Sequence, residues 1–167
     1  MGIPSRAPIT VRHARGEDLP AALEVWQRAN TARGRPPDVA RVARVHAKLA
    51  APDALLFVAE DGTEILGMLL AETGREDDGQ GPELEELCHI SMVFVDPGFW
   101  GQRMGESLLR ALVDHARGSG YRRLQLWTGT TNRAAQRLYR RVGFVPSGRV
   151  ARMRNGEEAL HLSRPTR

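Results

Sequence analysis

The sequence predicts an α/β protein in the broad α+β sense. Three observations carry that reading. Short apolar runs are bounded by turn signals, longer stretches place apolar residues at helical spacing, and the two kinds follow the order β-α-α-β-β-β-α-β-α-β-β. The chain of 167 residues reads as a single domain over 1–167, long enough to bury about 70% of its unfolded surface.

The elements follow in order. Residues 9–13 alternate apolar and polar, a first strand. Asp18 precedes Leu19, Ala22, Leu23, Trp26 and Ala29 at helical spacing, with Pro20 tolerated in the first turn. Gly34, Pro36 and Pro37 make a loop. Asp38 caps a second helix carrying Val39, Val42, Val45 and Leu49, ended by Pro52. Residues 55–60 and 64–72 are strands joined at Asp61-Gly62, a hairpin signal. Residues 73–82 are polar and Gly-rich and read as a loop, before a long strand over 84–95. An amphipathic helix over 104–117 aligns Met104, Leu108, Leu112 and Ala116 and stops at Gly118 and Gly120. A strand over 123–128, a helix over 132–142 with Gly143 at its end, and strands over 144–152 and 158–162 joined by Asn155-Gly156 complete the chain.

Composition narrows the function classes. Hydrophobic content of 41% and charged content of 26% suit a water-soluble globular protein. No apolar stretch approaches the roughly 20 residues of a membrane span. The first residues lack a secretory apolar core. Cys88 is the only cysteine, which suits a reducing cytoplasm. Histidines 13, 46, 89, 115 and 161 show no paired ligand spacing, so no metal is expected. Residues 1–100 carry a net charge of −6 and residues 101–167 a net +10. A basic half suits a polyanion and an acidic half suits a cation.

Residues 93–105 read V-F-V-D-P-G-F-W-G-Q-R-M-G, and residues 132–144 read N-R-A-A-Q-R-L-Y-R-R-V-G-F. In the first, an apolar strand enters a turn whose amides lead into a helix, an arrangement that cradles an anion. The ordered pair resembles the core of the GCN5-related N-acetyltransferases, the GNAT family. The resemblance implies a mixed, mainly antiparallel, twisted sheet with helices on both faces. It also implies an acetyl-CoA-dependent enzyme that moves an acetyl group directly onto a primary amine.

Carried over residue by residue, the resemblance assigns the diphosphate of acetyl-CoA to the amides of Gly101, Gln102, Arg103, Met104, Gly105 and Glu106. It assigns the pantetheine arm to the backbone of Met92, Val93, Phe94 and Val95, splayed from the strand over 123–128. It gives further cofactor contacts to Asn132 and Ala135, and gives Tyr139 the role of proton donor to the departing thiolate. The family pattern usually has Arg or Gln, two residues, Gly, one residue, then Gly or Ala. Trp100 and Arg103 depart from it, whereas Gly105 conforms. The Arg103 guanidinium either contacts the diphosphate or points to solvent.

Other readings of the same residues stay open. Asn132 is also a natural helix N-cap, and Tyr139 is also a core aromatic. For the base that deprotonates the amine, His89 stands where many relatives have Glu, and its intrinsic pKa suits the task. Glu86 acting through water, a water relay, or an amine that deprotonates unaided are the alternatives. Cys88 has the opposite strand parity from His89 and reads as buried filler rather than a nucleophile. Trp26, Phe99, Trp100 and Trp127 are candidates for an acceptor pocket. Glu72, Glu76, Asp77, Asp78, Glu83 and Glu85 are candidates for its entrance. Two rival functions remain: a non-catalytic acyl-CoA-binding module, and, more remotely, a nucleic-acid binder using Arg133, Arg137, Arg140 and Arg141. The C-terminal strands leave room for a homodimer.

Overall fold

The computed structural model describes residues 8–153 and 156–167. Seven strands form one mixed sheet in the order β1-β2-β3-β4-β5-β7-β6. They are β1 (Ile9–His13), β2 (Leu55–Asp61), β3 (Glu64–Arg75), β4 (Glu83–Val95), β5 (Arg123–Gly129), β6 (Val145–Arg152) and β7 (Glu158–Pro165). The helices are α1 (Leu19–Ala32), α2 (Val39–Leu49), α3 (Met104–Gly118) and α4 (Arg133–Arg141). β4 and β5 run parallel, and the β1–β2, β5–β7 and β6–β7 pairs are antiparallel. The chain divides into two compact units, Met1–Leu70 with Met92–Leu108, and Ala71–Ser91 with Leu109–Arg167.

In the first unit, β2 and β3 bury Leu56, Val58, Met68 and Leu70 against Ala22, Val25 and Trp26 of α1 and Val45 and Leu49 of α2. Gly67 of β3 has the opposite parity. A Cβ built there would stand 3.0 Å from Met104 Sδ and 3.2 Å from Leu108 Cδ1, so the start of α3 lies hard against the other face of the strand. Helices therefore cover both faces. The Asp38 side chain accepts the Arg41 N–H at 2.7 Å and so caps α2 as the sequence predicts.

Arg12 of β1 ties this unit together. Its guanidinium donates to Asp18 at 2.7 Å, before α1, and to Glu60 of β2 at 2.9 Å. Asp18 also accepts the Arg15 N–H at 2.7 Å. The hydrogen bond from Arg12 is the main reason the buried Asp18 carboxyl titrates below its usual range. A depressed folded-state pKa adds stability above the ordinary carboxylate value near 4, and that stability is lost as pH falls through the folded value. Asp18→Asn should therefore lower the melting temperature at neutral pH, with the deficit shrinking below about pH 4. Thermal melts of both proteins from pH 7 to pH 2.5 check it.

In the second unit, Leu124 and Leu126 of β5 and Cys88 and Ile90 of β4 are buried on one face. On these strands His89 pairs with Gln125 across the opposite face. The Asn132 side chain accepts the Ala135 N–H at 3.2 Å and caps α4. Gly143, at φ +92°, closes the helix as the sequence predicts. Arg164 then donates to the Val142 carbonyl at 2.6 Å, placing a cation at the helix C-terminus.

One expectation needs correction. β3 does not stop at residue 72 but runs to Arg75, because Gly74 packs where a Cβ would meet Leu87 Cδ2 at 2.5 Å. The acidic stretch after it is a tight turn, with Asp77 and Asp78 both in the left-handed region. In the sheet, β7 lies between β5 and β6. Of the turn predicted at Asn155-Gly156, Asn155 lies outside the described residues, and Gly156 has φ +85°.

Candidate active site

The first unit carries the anion cradle. Asp96, whose N–H donates to Leu66 O at 2.8 Å, ends β4. A short turn over Pro97–Phe99 follows, in which the Asp96 side chain accepts the Gly98 N–H at 3.1 Å. Gly101 then adopts φ +82° and Arg103 φ +60°. The first helical bond of α3 runs from Ser107 N–H to Arg103 O at 3.1 Å. Helix geometry turns the amides of Met104 and Gly105 out of the helix end, where the dipole favours an anion. A Cβ on Gly101 would meet nothing within 4 Å, so open space lies beside this turn. The geometry fits a diphosphate.

Arg103 is the informative member. A left-handed residue other than glycine costs roughly 1 kcal/mol, yet the chain keeps that conformation with an arginine in place. The side chain is 76% exposed and stands 4.0 Å from the Glu106 carboxylate. Trp100 is tied to the end of β4. Its indole N–H donates to Val95 O at 2.8 Å, and the Arg33 guanidinium lies 5.9 Å from its ring centre and 5.5 Å from that of Phe94.

The second unit carries the candidate proton-transfer groups. A cavity of about 390 Å³ is lined by Glu72, Arg75, Asp78, His89, Gln125 and Trp127 among others. Glu72 accepts from Ser91 Oγ at 3.0 Å, and Asp78 pairs with Arg149. Arg149 lies 5.4 Å from the centre of the Trp127 ring. Tyr139 is 9% exposed on α4, its ring 6.1 Å from Phe144 and edge-on to it. Among the described residues no group of three or more His, Cys, Asp or Glu side chains gathers in a way that would hold a metal ion. A larger hollow of about 520 Å³ near Arg117, Tyr121 and Arg122 holds no carboxylate side chain or imidazole.

The sequence profile of the acetyltransferase (GNAT) family matches residues 19–144. The chain belongs to that family. A phosphinothricin N-acetyltransferase from Alcaligenes faecalis is 30% identical over 150 residues, which is 86% of this chain and 74% of its own. The ribosomal-protein-S18-alanine N-acetyltransferase of Escherichia coli shares the fold, with a TM-score of 0.76 at 22% identity over 95% of this chain and 94% of its own. The protein yncA of Salmonella typhimurium, solved with its cofactor acetyl-CoA, does so with a TM-score of 0.72 at 22% identity over 95% and 94%. The chain spans between 27% and 50% of the length of the first curated relatives it matches.

Within the GNAT pattern, the residue standing at the central glycine is Arg103, and its backbone is the one that needs glycine. Glu86 and His89 do not come together. Glu86 lies at the other strand parity, its side chain 66% exposed and 3.5 Å from Arg122. Cys88 is fully buried, and burial pushes its thiol up to about 12, so it stays protonated and cannot attack. Trp26 is core at 1% exposure, leaving Trp127 as the tryptophan at the cavity. Of the acidic candidates, Glu72 and Asp78 line it. Gln125, His161 and Ser147 were not legible as site residues. The alternation Arg123-Leu124-Gln125-Leu126-Trp127 signals a polar strand face, but not what crosses it.

Proposed function

We propose that the protein moves the acetyl group of acetyl-CoA onto a primary amine by direct attack, as one acetyltransferase domain over 1–167. The observation that carries the reading is the left-handed turn at Gly101 and Arg103 feeding the start of α3. In a GNAT chain this is where a diphosphate meets main-chain nitrogens. Gly101, Gln102, Arg103, Met104, Gly105 and Glu106 hold that group. Met92, Val93, Phe94 and Val95 lie beyond the register in which β4 pairs with β5, which ends at Ile90 and Leu126, and they offer backbone groups to the pantetheine arm. Asn132 and Ala135 add contacts at the start of α4.

His89 is the base that this structure favours, since it lines a cavity with Glu72 and Asp78, whose charges suit an incoming ammonium. Glu86, exposed and beside Arg122, is the weaker candidate. His89 takes the proton of the ammonium; the freed nitrogen forms a bond to the thioester carbonyl carbon as the carbon–sulfur bond breaks; Tyr139 protonates the sulfur. Holding both reactants in place is worth about 7–11 kcal/mol of barrier. Small amines and peptide amines both fit this chemistry. A cytoplasmic setting suits the one cysteine, buried at position 88.

Thiol release from acetyl-CoA over a panel of amines, including a peptide with an N-terminal alanine, tests the proposal. Amine-dependent release is expected. Binding of CoA with no release on any amine would replace the enzyme with an acyl-CoA-binding module. Arg103→Ala should raise KM for acetyl-CoA about 3–10-fold, because one charge-assisted contact to phosphate is worth about 1 kcal/mol at an exposed site. An unchanged KM would leave the guanidinium in solvent.

A further inference from the structure

A row of hydrogen-bonded side chains crosses four strands of the second unit. Gln125 Nε2 lies 3.2 Å from His89 Nδ1. Gln125 Oε1 lies 2.8 Å from His161 Nε2. His161 Nδ1 lies 2.7 Å from Ser147 Oγ, which accepts the Arg149 N–H at 3.2 Å. The strand order makes the row: β4, β5, β7 and β6 are successive neighbours, and an irregular register with Gly148 at φ +91° interrupts β6 beside Ser147.

Hydrogen-bond polarity gives the row a direction. The Gln125 oxygen only accepts, so His161 Nε2 must bear the proton and His161 Nδ1 accepts from Ser147, whose oxygen also accepts the Arg149 N–H. His161, neutral, then carries its proton on Nε2 and donates to Gln125 Oε1. The amide of Gln125 donates in turn to His89 Nδ1, which leaves the His89 proton on Nε2. His161 suits this part, since burial first and then the charge of Arg149 hold its titration below the usual range.

We propose that Gln125, His161 and Ser147 are positioning residues that fix the tautomer of neutral His89 and couple its protonation to a reversal of the whole row. The inference rests on His89 as the base only for its consequence in catalysis: the lone pair of neutral His89 lies at Nδ1 against the Gln125 amide, so a proton from the ammonium enters there only as Gln125 turns away. Imidazolium at His89 presents an N–H at Nδ1, which the amide nitrogen of Gln125 cannot accept. Gln125 must turn its oxygen to His89 and its nitrogen to His161. His161 then gives up its proton at Nε2 and holds one at Nδ1, with no change of charge, and Ser147 turns its proton to solvent. Solvent supplies the His161 Nδ1 proton through the exposed Ser147 hydroxyl, and the proton released from His161 Nε2 leaves to water in the cavity that Gln125 and His89 line, so the net gain is the one proton on His89. Glu72, Arg75 and Asp78 also line the cavity with His89, and Arg149, Asp78 and Arg123 act on His161. They are common to the wild type and the variants below, so a comparison isolates the row.

The test is long-range proton–nitrogen correlation of 15N-histidine-labelled protein, titrated from pH 8 to pH 5. In the wild type, His89 should appear as the Nε2–H form, and His161 should change tautomer with the midpoint at which His89 gains its proton. In His161→Phe, and in Ser147→Ala at the exposed end, His89 should show mixed tautomers. Its midpoint should rise by about 1 pH unit in His161→Phe, where a free Gln125 can offer its oxygen. His161→Gln, which can still donate to Gln125, should restore the Nε2–H form. Unchanged His89 tautomer and midpoint in both His161→Phe and Ser147→Ala would overturn the proposal, whatever the activity. Coupled titration without a matching inflection in the kcat/KM profile would uphold the row and remove His89 from the base role.

Discussion

Tyr139→Phe should lower kcat about 100-fold and leave KM for acetyl-CoA within about twofold. The substitution removes one hydroxyl and nothing else. Tyr139 is buried on α4, its ring against the edge of Phe144, and a phenylalanine fills the same volume. The fold should therefore be kept. What is lost, on the proposed mechanism, is a proton donor. The thiol product has an ordinary pKa near 8.5 and a phenol near 10, so full transfer to a finished thiolate is uphill by about 2 kcal/mol. Donation pays only as charge builds on sulfur in the transition state, which is why kcat falls and KM does not. Steady-state thiol release with a saturating amine measures both constants. An unchanged kcat would return Tyr139 to a purely packing role.

The second large effect lies away from the chemistry. Gly67→Val should cost about 3 kcal/mol of stability and weaken acetyl-CoA binding at least tenfold. A Cβ at Gly67 meets Met104 Sδ at 3.0 Å, Leu108 Cδ1 at 3.2 Å and Ala59 Cβ at 3.3 Å, and valine adds two methyl groups beyond that. Met104 can move its sulfur, but Leu108 and Ala59 are fully buried and have nowhere to go. Overpacking of this kind costs about 1–3 kcal/mol, sometimes more. The strain is relieved most cheaply by lifting the start of α3 from β3, and that start carries the amides of Met104 and Gly105. Urea denaturation gives the stability and calorimetry with CoA gives the affinity. A loss of stability with affinity intact would show that the amides do not depend on this contact.

These two sites differ in how legible they are. Tyr139 lies in a run whose spacing from Asn132 to Gly143 can be read directly, and the helix caps at Asp38, Asn132 and Gly143 all form where turn and cap chemistry places them. The Asp61-Gly62 hairpin also forms, with Gly62 at φ +72°. Such features are local, set by a few neighbouring residues. Gly67 gives no sign in sequence, because the tightest contacts its Cβ would make are with Met104 and Leu108, more than thirty positions away. Gly74 reads as a breaker but sits inside β3, since a cross-strand leucine occupies the space of its missing Cβ. The row through His89, Gln125, His161 and Ser147 depends on β7 entering between β5 and β6, which periodicity along the chain does not encode. Arg103 is the intermediate case. The departure from glycine is visible in sequence, whereas the left-handed backbone that survives it is visible only in the fold.

The central claim is that main-chain nitrogens between Gly101 and Glu106 hold the diphosphate of acetyl-CoA. A crystal structure of the protein with CoA tests it most directly. The account predicts phosphate oxygens about 3 Å from those amides. CoA seated elsewhere, with the turn at Gly101 and Arg103 touching no phosphate, would contradict it.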